Sequence, residues 1–209
     1  MAEKTVISEQ LIDWGVAWRA LPGERVCGDV HLIKPVPEGV LLAVVDGLGH
    51  GAEAAAVATI ALGVLDRHAG EPLSVILRHC HDALLGSRGA VMTLAWLEAG
   101  ERRLTWLGVG NVEAVLLRAD RTPKIPLARA VQRSGIVGYR LPALQPGTTS
   151  LAPDDLLVFA TDGVGAGFTE ALMDGGPPQR LASRALDCYF RGIDDALVLV
   201  AKYLGTGRE

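Results

Sequence analysis

Two aliphatic runs in this 209-residue chain stop at an aspartate followed by a glycine: Leu41-Leu42-Ala43-Val44-Val45-Asp46-Gly47 and Leu156-Leu157-Val158-Phe159-Ala160-Thr161-Asp162-Gly163. An unbroken aliphatic run describes a strand buried on both faces, which requires a layer packed on each side of its sheet. An ionised carboxylate at the rim of such a core is costly unless it is paired or bound to a cation. If the two ends converge, they make a hard, oxygen-rich site suited to Mg²⁺ or Mn²⁺.

The remaining pattern predicts strands at Trp14 to Arg19, Arg25 to Lys34 and Gly39 to Val45, with Pro35-Val36-Pro37-Glu38-Gly39 as the turn of a hairpin between the last two. Ala52 to His68 is rich in strong helix formers, with Val57, Ile60, Ala61, Val64 and Leu65 at helical spacing. A second helix is expected from about Pro72 to Leu85, with Leu73, Ile76, Leu77, Cys80 and Leu84 on one face. Ala90 to Leu97, Arg103 to Val109 and Glu113 to Arg118 read as an antiparallel meander. An irregular stretch holding Pro123, Pro126, Pro142 and Pro146 precedes the second Asp-ended strand, a helix near Gln179 to Tyr189 and a closing strand Ala196 to Lys202. That order is α+β, and it implies a β-sandwich with helices outside.

Composition bounds the function. Hydrophobic residues make up 49% and charged residues 21%, with no linker-like tract, so one domain over residues 1–209 is expected. A net charge of −4 gives no electrostatic reason to expect nucleic acid or anionic lipid as partner. Cys27, Cys80 and Cys188 form no CxxC pair and read as reduced thiols. The start, Met1-Ala2-Glu3-Lys4, lacks signal-peptide character, and no run reaches membrane-spanning length. A soluble, cytoplasmic protein is expected; its oligomeric state is not legible.

Asp46-Gly47-Leu48-Gly49-His50-Gly51 opens directly into the Ala-rich helix, and such a turn brings backbone close to an ion or phosphate. Together with Gly28-Asp29, Thr161-Asp162-Gly163 and Asp194-Asp195, in that order, it resembles the metal-dependent PPM protein serine/threonine phosphatases. Within them it is most similar to the bacterial SpoIIE, RsbU and RsbX branch, and there to the stand-alone RsbX type. The Gly108-Val109-Gly110-Asn111 turn and Pro146-Gly147 add to the likeness.

That resemblance implies an αββα sandwich, two Mn²⁺ or Mg²⁺ ions, and phosphorylated STAS-domain stress-signalling (stressosome) proteins as substrates. By motif, Asp46 would bridge both ions, Gly47 would offer its carbonyl, Asp162 and Asp194 would ligate, and Asp29 would ligate or accept from bound water. Water between two such ions loses its proton near neutral pH and attacks phosphorus in line. His50 would serve as general acid, or as a turn residue only. Asp194 and Asp195 should point to opposite faces, with Asp194 favoured as ligand, whereas Asp154-Asp155 reads as turn chemistry. Arg25 reads as lying on a solvated strand face, and His31, His68, His79 and His81 share no recognisable ligand spacing. Two rival readings are a non-catalytic phosphoprotein-binding module of the same fold and a hydrolase of small phosphate esters.

Overall fold

The computed structural model describes residues 11–119 and 128–205. Met1 to Lys4, Pro123 and Pro126 therefore lie outside the described residues. Among the described residues eleven strands form two sheets. One contains β1 (Ile12–Arg19), β11 (Ala196–Tyr203), β10 (Leu156–Ala160), β6 (Glu113–Leu117) and β7 (Ala128–Arg129), in that spatial order. The other runs β2 (Asp29–Val36), β3 (Gly39–Gly47), β4 (Ala90–Glu98), β5 (Arg103–Val109) and β8 (Gln132–Arg133), with β9 (Gly147–Ser150) also pairing β5. The single parallel pairing among these strands is β5 with β8.

Three α-helices among the described residues cover the outer faces. α1 (Gly51–Arg67) and α2 (Leu73–Leu84) lie on the β2–β5 sheet, and α3 (Pro178–Tyr189) lies on the other. The strand β3 shows why its sequence is unbroken: Val40 through Val45 have no solvent exposure. Val40, Leu42 and Val44 face the opposite sheet, against Leu157, Phe159, Leu197 and Leu199. Leu41, Ala43 and Val45 face the helices, against Val57, Ala61, Ile76 and Leu77. Strand alternation thus feeds two cores at once, and each fully buried Leu, Val or Phe contributes about 1.5–3 kcal/mol. The expected face of α2 is buried throughout. The result is the αββα sandwich.

Three expectations are corrected. The meander breaks after β5, because β6 pairs with β10 in the other sheet rather than with β5. The turn at Gly108-Val109-Gly110-Asn111 is a crossing between layers: Val112 is buried in the inter-sheet core, and its carbonyl accepts the Thr93 hydroxyl at 2.6 Å. Alternation records which residues face inward but not which sheet a strand joins.

The second strand also starts later than expected. The Gly28 and Leu21 amides donate to the Asp195 carboxylate, which pulls the chain before Asp29 out of the ladder. At its other end Pro35 is within β2, opposite Val40, and the turn shrinks to Pro37-Glu38. β2 is an edge strand, so the missing proline N–H leaves no gap in a ladder.

Candidate metal centre

Asp46 is the penultimate residue of β3 and pairs with Asp29, the first residue of β2. Directly opposed residues share a face, and Asp46 continues the inward series Val40, Leu42, Val44. Both carboxylates therefore sit at the end of the inter-sheet core. From the other sheet, Thr161-Asp162 follows β10 and Asp194-Asp195 precedes β11. The ends of four strands, two from each sheet, meet at one rim.

Hydrogen bonds join the two halves. Thr161 Oγ1 donates to Asp29 Oδ2 at 2.7 Å and accepts from the Leu197 amide at 2.8 Å. Asn111 Nδ2, on the crossover turn, donates to Asp162 Oδ2 at 2.7 Å, while Arg191 donates to the Asp162 carbonyl. Asp46, Asp162 and Asp194 line an open cleft of about 610 Å³, walled by Leu48, Val91, Asn111, Gln132, Ser134 and Ile136.

Asp194 and Asp195 are placed differently. Asp194 lines the cleft, whereas Asp195 is 2% exposed and spends both carboxylate oxygens on the Leu21 and Gly28 amides. Asp155, outside this rim, is buried against Arg118 and accepts from the Ala119 and Ala152 amides, which is turn chemistry.

Gly47 is required sterically. A Cβ there would lie 2.3 Å from the Ala54 carbonyl oxygen of α1, so only glycine lets the helix close onto the strand end. His50 is the residue before α1, and its Nδ1 lies 2.7 Å from Glu24 Oε1. Its side chain is 54% exposed, and it is not among the residues walling the cleft. Arg25 and His31 border a second depression with Trp18 and Leu62, and Asp29 lines this depression rather than the cleft.

The electrostatics of the rim suit a bound cation. Among the described residues, none of Asp29, Asp46, Asp162 and Asp194 forms an ion pair with Lys, Arg or His within 4 Å. Burial first, and then repulsion from the neighbouring acids, pushes the Asp46 carboxyl well above the usual carboxylate range. Burial and the same neighbours raise Asp29 despite the Thr161 hydrogen bond, and burial raises Asp194. Three neighbouring carboxyls raised in this way, Asp29, Asp46 and Asp194, belong to an all-oxygen donor set fitted to hard divalent ions. Its oxygens are spread rather than focused: among the described residues, three ligand atoms come within 4.8 Å of one another only at His68, Glu71 and His79.

Thr161, Asn111 and Asp195 each lie in a motif singled out in the sequence, but their hydrogen-bonding roles are not legible there. Thr161 precedes the Asp-Gly pair and continues the inward parity of β10, which is the signal that marks it; Asn111 and Asp195 become visible only once the sheets are paired.

Comparison with known proteins agrees with this geometry. The family model for Stage II sporulation protein E (SpoIIE) matches residues 37–203. The phosphoserine phosphatase RsbX of Bacillus subtilis (strain 168) is 24% identical over 178 residues, 85% of this chain and 87% of that protein. Among solved structures, a chain from a study of the bacterial stressosome, a modular system adapted to control secondary messenger signaling, superposes with a TM-score of 0.84. It is 32% identical, over 91% of this chain and 99% of that one. RsbX in complex with magnesium gives a TM-score of 0.82 at 22% identity, over 94% and 97% of the two chains.

Proposed function

The chain belongs to the SpoIIE family, and on that premise we propose that it is a Mg²⁺- or Mn²⁺-dependent phosphoserine/phosphothreonine protein phosphatase. The single observation that carries this reading is the meeting of aspartates from both sheets at one rim, with Asp46, Asp162 and Asp194 lining one open cleft and Asp29 held behind them by its pairing with Asp46 and the Thr161 hydroxyl. Asp46, Asp29, Asp162, Asp194 and the Gly47 carbonyl are the groups that would hold the metal. Two ions are the expected load, a two-metal centre holding its pair about 3.5–4 Å apart. When bound, such ions supply a water acidic enough to ionise near neutral pH and offset charge on the phosphoryl oxygens.

The chain's own residues do the positioning. Thr161 keeps Asp29 beside Asp46, and Asn111 orients Asp162. Asp195 pins the loop that delivers Asp29. His50, steadied by Glu24 on one ring nitrogen, offers the other as proton donor to the leaving serine oxygen. The cleft mixes apolar walls, Leu48, Val91 and Ile136, with Gln132 and Ser134, a surface suited to a peptide around a phosphorylated residue.

The substrate we assign is a phosphorylated STAS-domain protein of a stress-signalling assembly. Likeness to RsbX and to the stressosome chain supports that choice. The unit is taken as one domain over residues 1–209, acting in the cytoplasm; no described helix is long and apolar enough to cross a membrane. The test is phosphate release from a phosphoserine STAS protein, with p-nitrophenyl phosphate alongside, in Mg²⁺, Mn²⁺ or EDTA. Release from the phosphoprotein only with metal is expected. Binding of the phosphoprotein without release from either substrate would mean a non-catalytic module.

A further inference from the structure

A second cluster of potential ligands lies at the other end of α1. His68 is the residue that closes that helix, its amide bonded to the Val64 carbonyl, and the Glu71 amide returns to the His68 carbonyl at 2.9 Å. This tight turn, followed by Pro72, sets His68 and Glu71 side by side, and the second turn of α2 adds His79. His68 Nδ1 lies 2.7 Å from Glu71 Oε1, and His79 Nε2 lies 3.1 Å from Glu71 Oε2. The two imidazoles stack with centroids 4.2 Å apart and planes inclined by 24°.

We propose that His68, Glu71 and His79 form a second metal site, for a borderline divalent ion of the Zn²⁺ class, that staples α1 to α2. Two imidazole nitrogens and one carboxylate are the donors such ions favour, and they differ in kind from the all-oxygen set at the sheet ends. One ligand atom from each residue already falls within 4.8 Å of the others. Tetrahedral bonds of about 2.1 Å place ligands about 3.4 Å apart, so closing on an ion asks for side-chain rotation and no backbone movement. Their side chains are 24%, 40% and 41% exposed, which anchors the ligands at the surface and leaves a further position open to water. Among the described residues, Glu71 has no Lys or Arg ion-pair partner that would compete with a metal.

No sequence period joins residues 68, 71 and 79. Two of them sit on the turn and the third on another helix, so the helical hairpin alone unites them. The 17 residues of α1 separate this site from His50 by about 25 Å at 1.5 Å per residue. It is therefore distinct from the acidic centre and open to separate test.

The experiment uses the full chain in saturating Mg²⁺, which occupies the oxygen-rich centre. Zn²⁺ uptake is followed by competition with a chromophoric chelator, Co²⁺ uptake by its visible absorption, and the melting temperature is recorded with and without Zn²⁺. One saturable Zn²⁺ equivalent, a Co²⁺ spectrum of a mixed nitrogen and oxygen site, and a raised melting temperature are expected. His79→Ala and Glu71→Gln should each weaken Zn²⁺ at least about tenfold while keeping the Mg²⁺-supported phosphatase rate, and Asp46→Asn should keep the Zn²⁺ equivalent. No saturable uptake above the Mg²⁺ background would overturn the proposal. So would uptake indifferent to both substitutions, or uptake lost in Asp46→Asn.

Discussion

Replacing Asp29 by asparagine should make the metal-free protein more stable while ending its use as an enzyme. In the metal-free fold, burial and the charges of its acidic neighbours raise the Asp29 carboxyl from 3.8 to about 7. Each unit corresponds to about 1.4 kcal/mol, so a shift of about 3 units sets a ceiling of about 4 kcal/mol. Solvent reaching the cleft and relaxation of the loop reduce this to about 2 kcal/mol. A carboxyl that keeps its proton to higher pH when folded favours the fold at low pH, and that contribution is lost as pH rises from about 4 to about 7. The substituted amide carries no charge, keeps an acceptor for the Thr161 hydroxyl, and has no such dependence. Denaturant titrations in EDTA at pH 8 should show Asp29→Asn more stable by about 2 kcal/mol, near 4–8 °C in melting temperature for a chain of this size. At pH 5 the difference should shrink, and in saturating Mg²⁺ it should reverse, because the native aspartate gains a cation and the amide does not. Equal or lower stability of the variant in EDTA at pH 8 would refute the claim that the rim is electrostatically strained without metal.

Three other substitutions probe the supports. Thr161→Val removes a hydroxyl that bonds Asp29 and the Leu197 amide; it should cost about 1–3 kcal/mol by denaturant titration and lower turnover through misplacement of Asp29. Gly47→Ala drives a methyl into the Ala54 carbonyl and should destabilise by about 3 kcal/mol, with loss of metal affinity by calorimetry as α1 is pushed off the strand end. Asp155→Ala strands Arg118 and the Ala119 and Ala152 amides, costing about 3 kcal/mol, yet turnover per folded molecule should stay at the wild-type level because the residue is remote from the cleft.

How much of this was legible in the sequence depends on the range of the interaction. Asp46 and Asp162 stand out because each ends an aliphatic run that cannot tolerate a lone charge, and α1 and α2 announce themselves by spacing. Asp29 and Asp194 followed from the ordered resemblance. What stayed hidden is set by contacts between distant segments. The transfer of β6 to the other sheet depends on Val112 entering the inter-sheet core. The late start of β2 depends on Asp195, far along the chain, capturing the Gly28 amide. The grouping of His68, Glu71 and His79 depends on how one helix turns into the next. Periodicity reports which face a side chain takes and is blind to the partner it meets there.

The central claim is that aspartates from two different sheets act as one metal centre. Asp46→Asn and Asp162→Asn, each checked for folding by circular dichroism, should be titrated with Mn²⁺ by electron paramagnetic resonance while phosphate release from the phosphoserine STAS protein is recorded on the same samples. The account predicts that either substitution lowers Mn²⁺ affinity and abolishes release together. Wild-type release from either variant, or loss of Mn²⁺ binding with release intact, would contradict it.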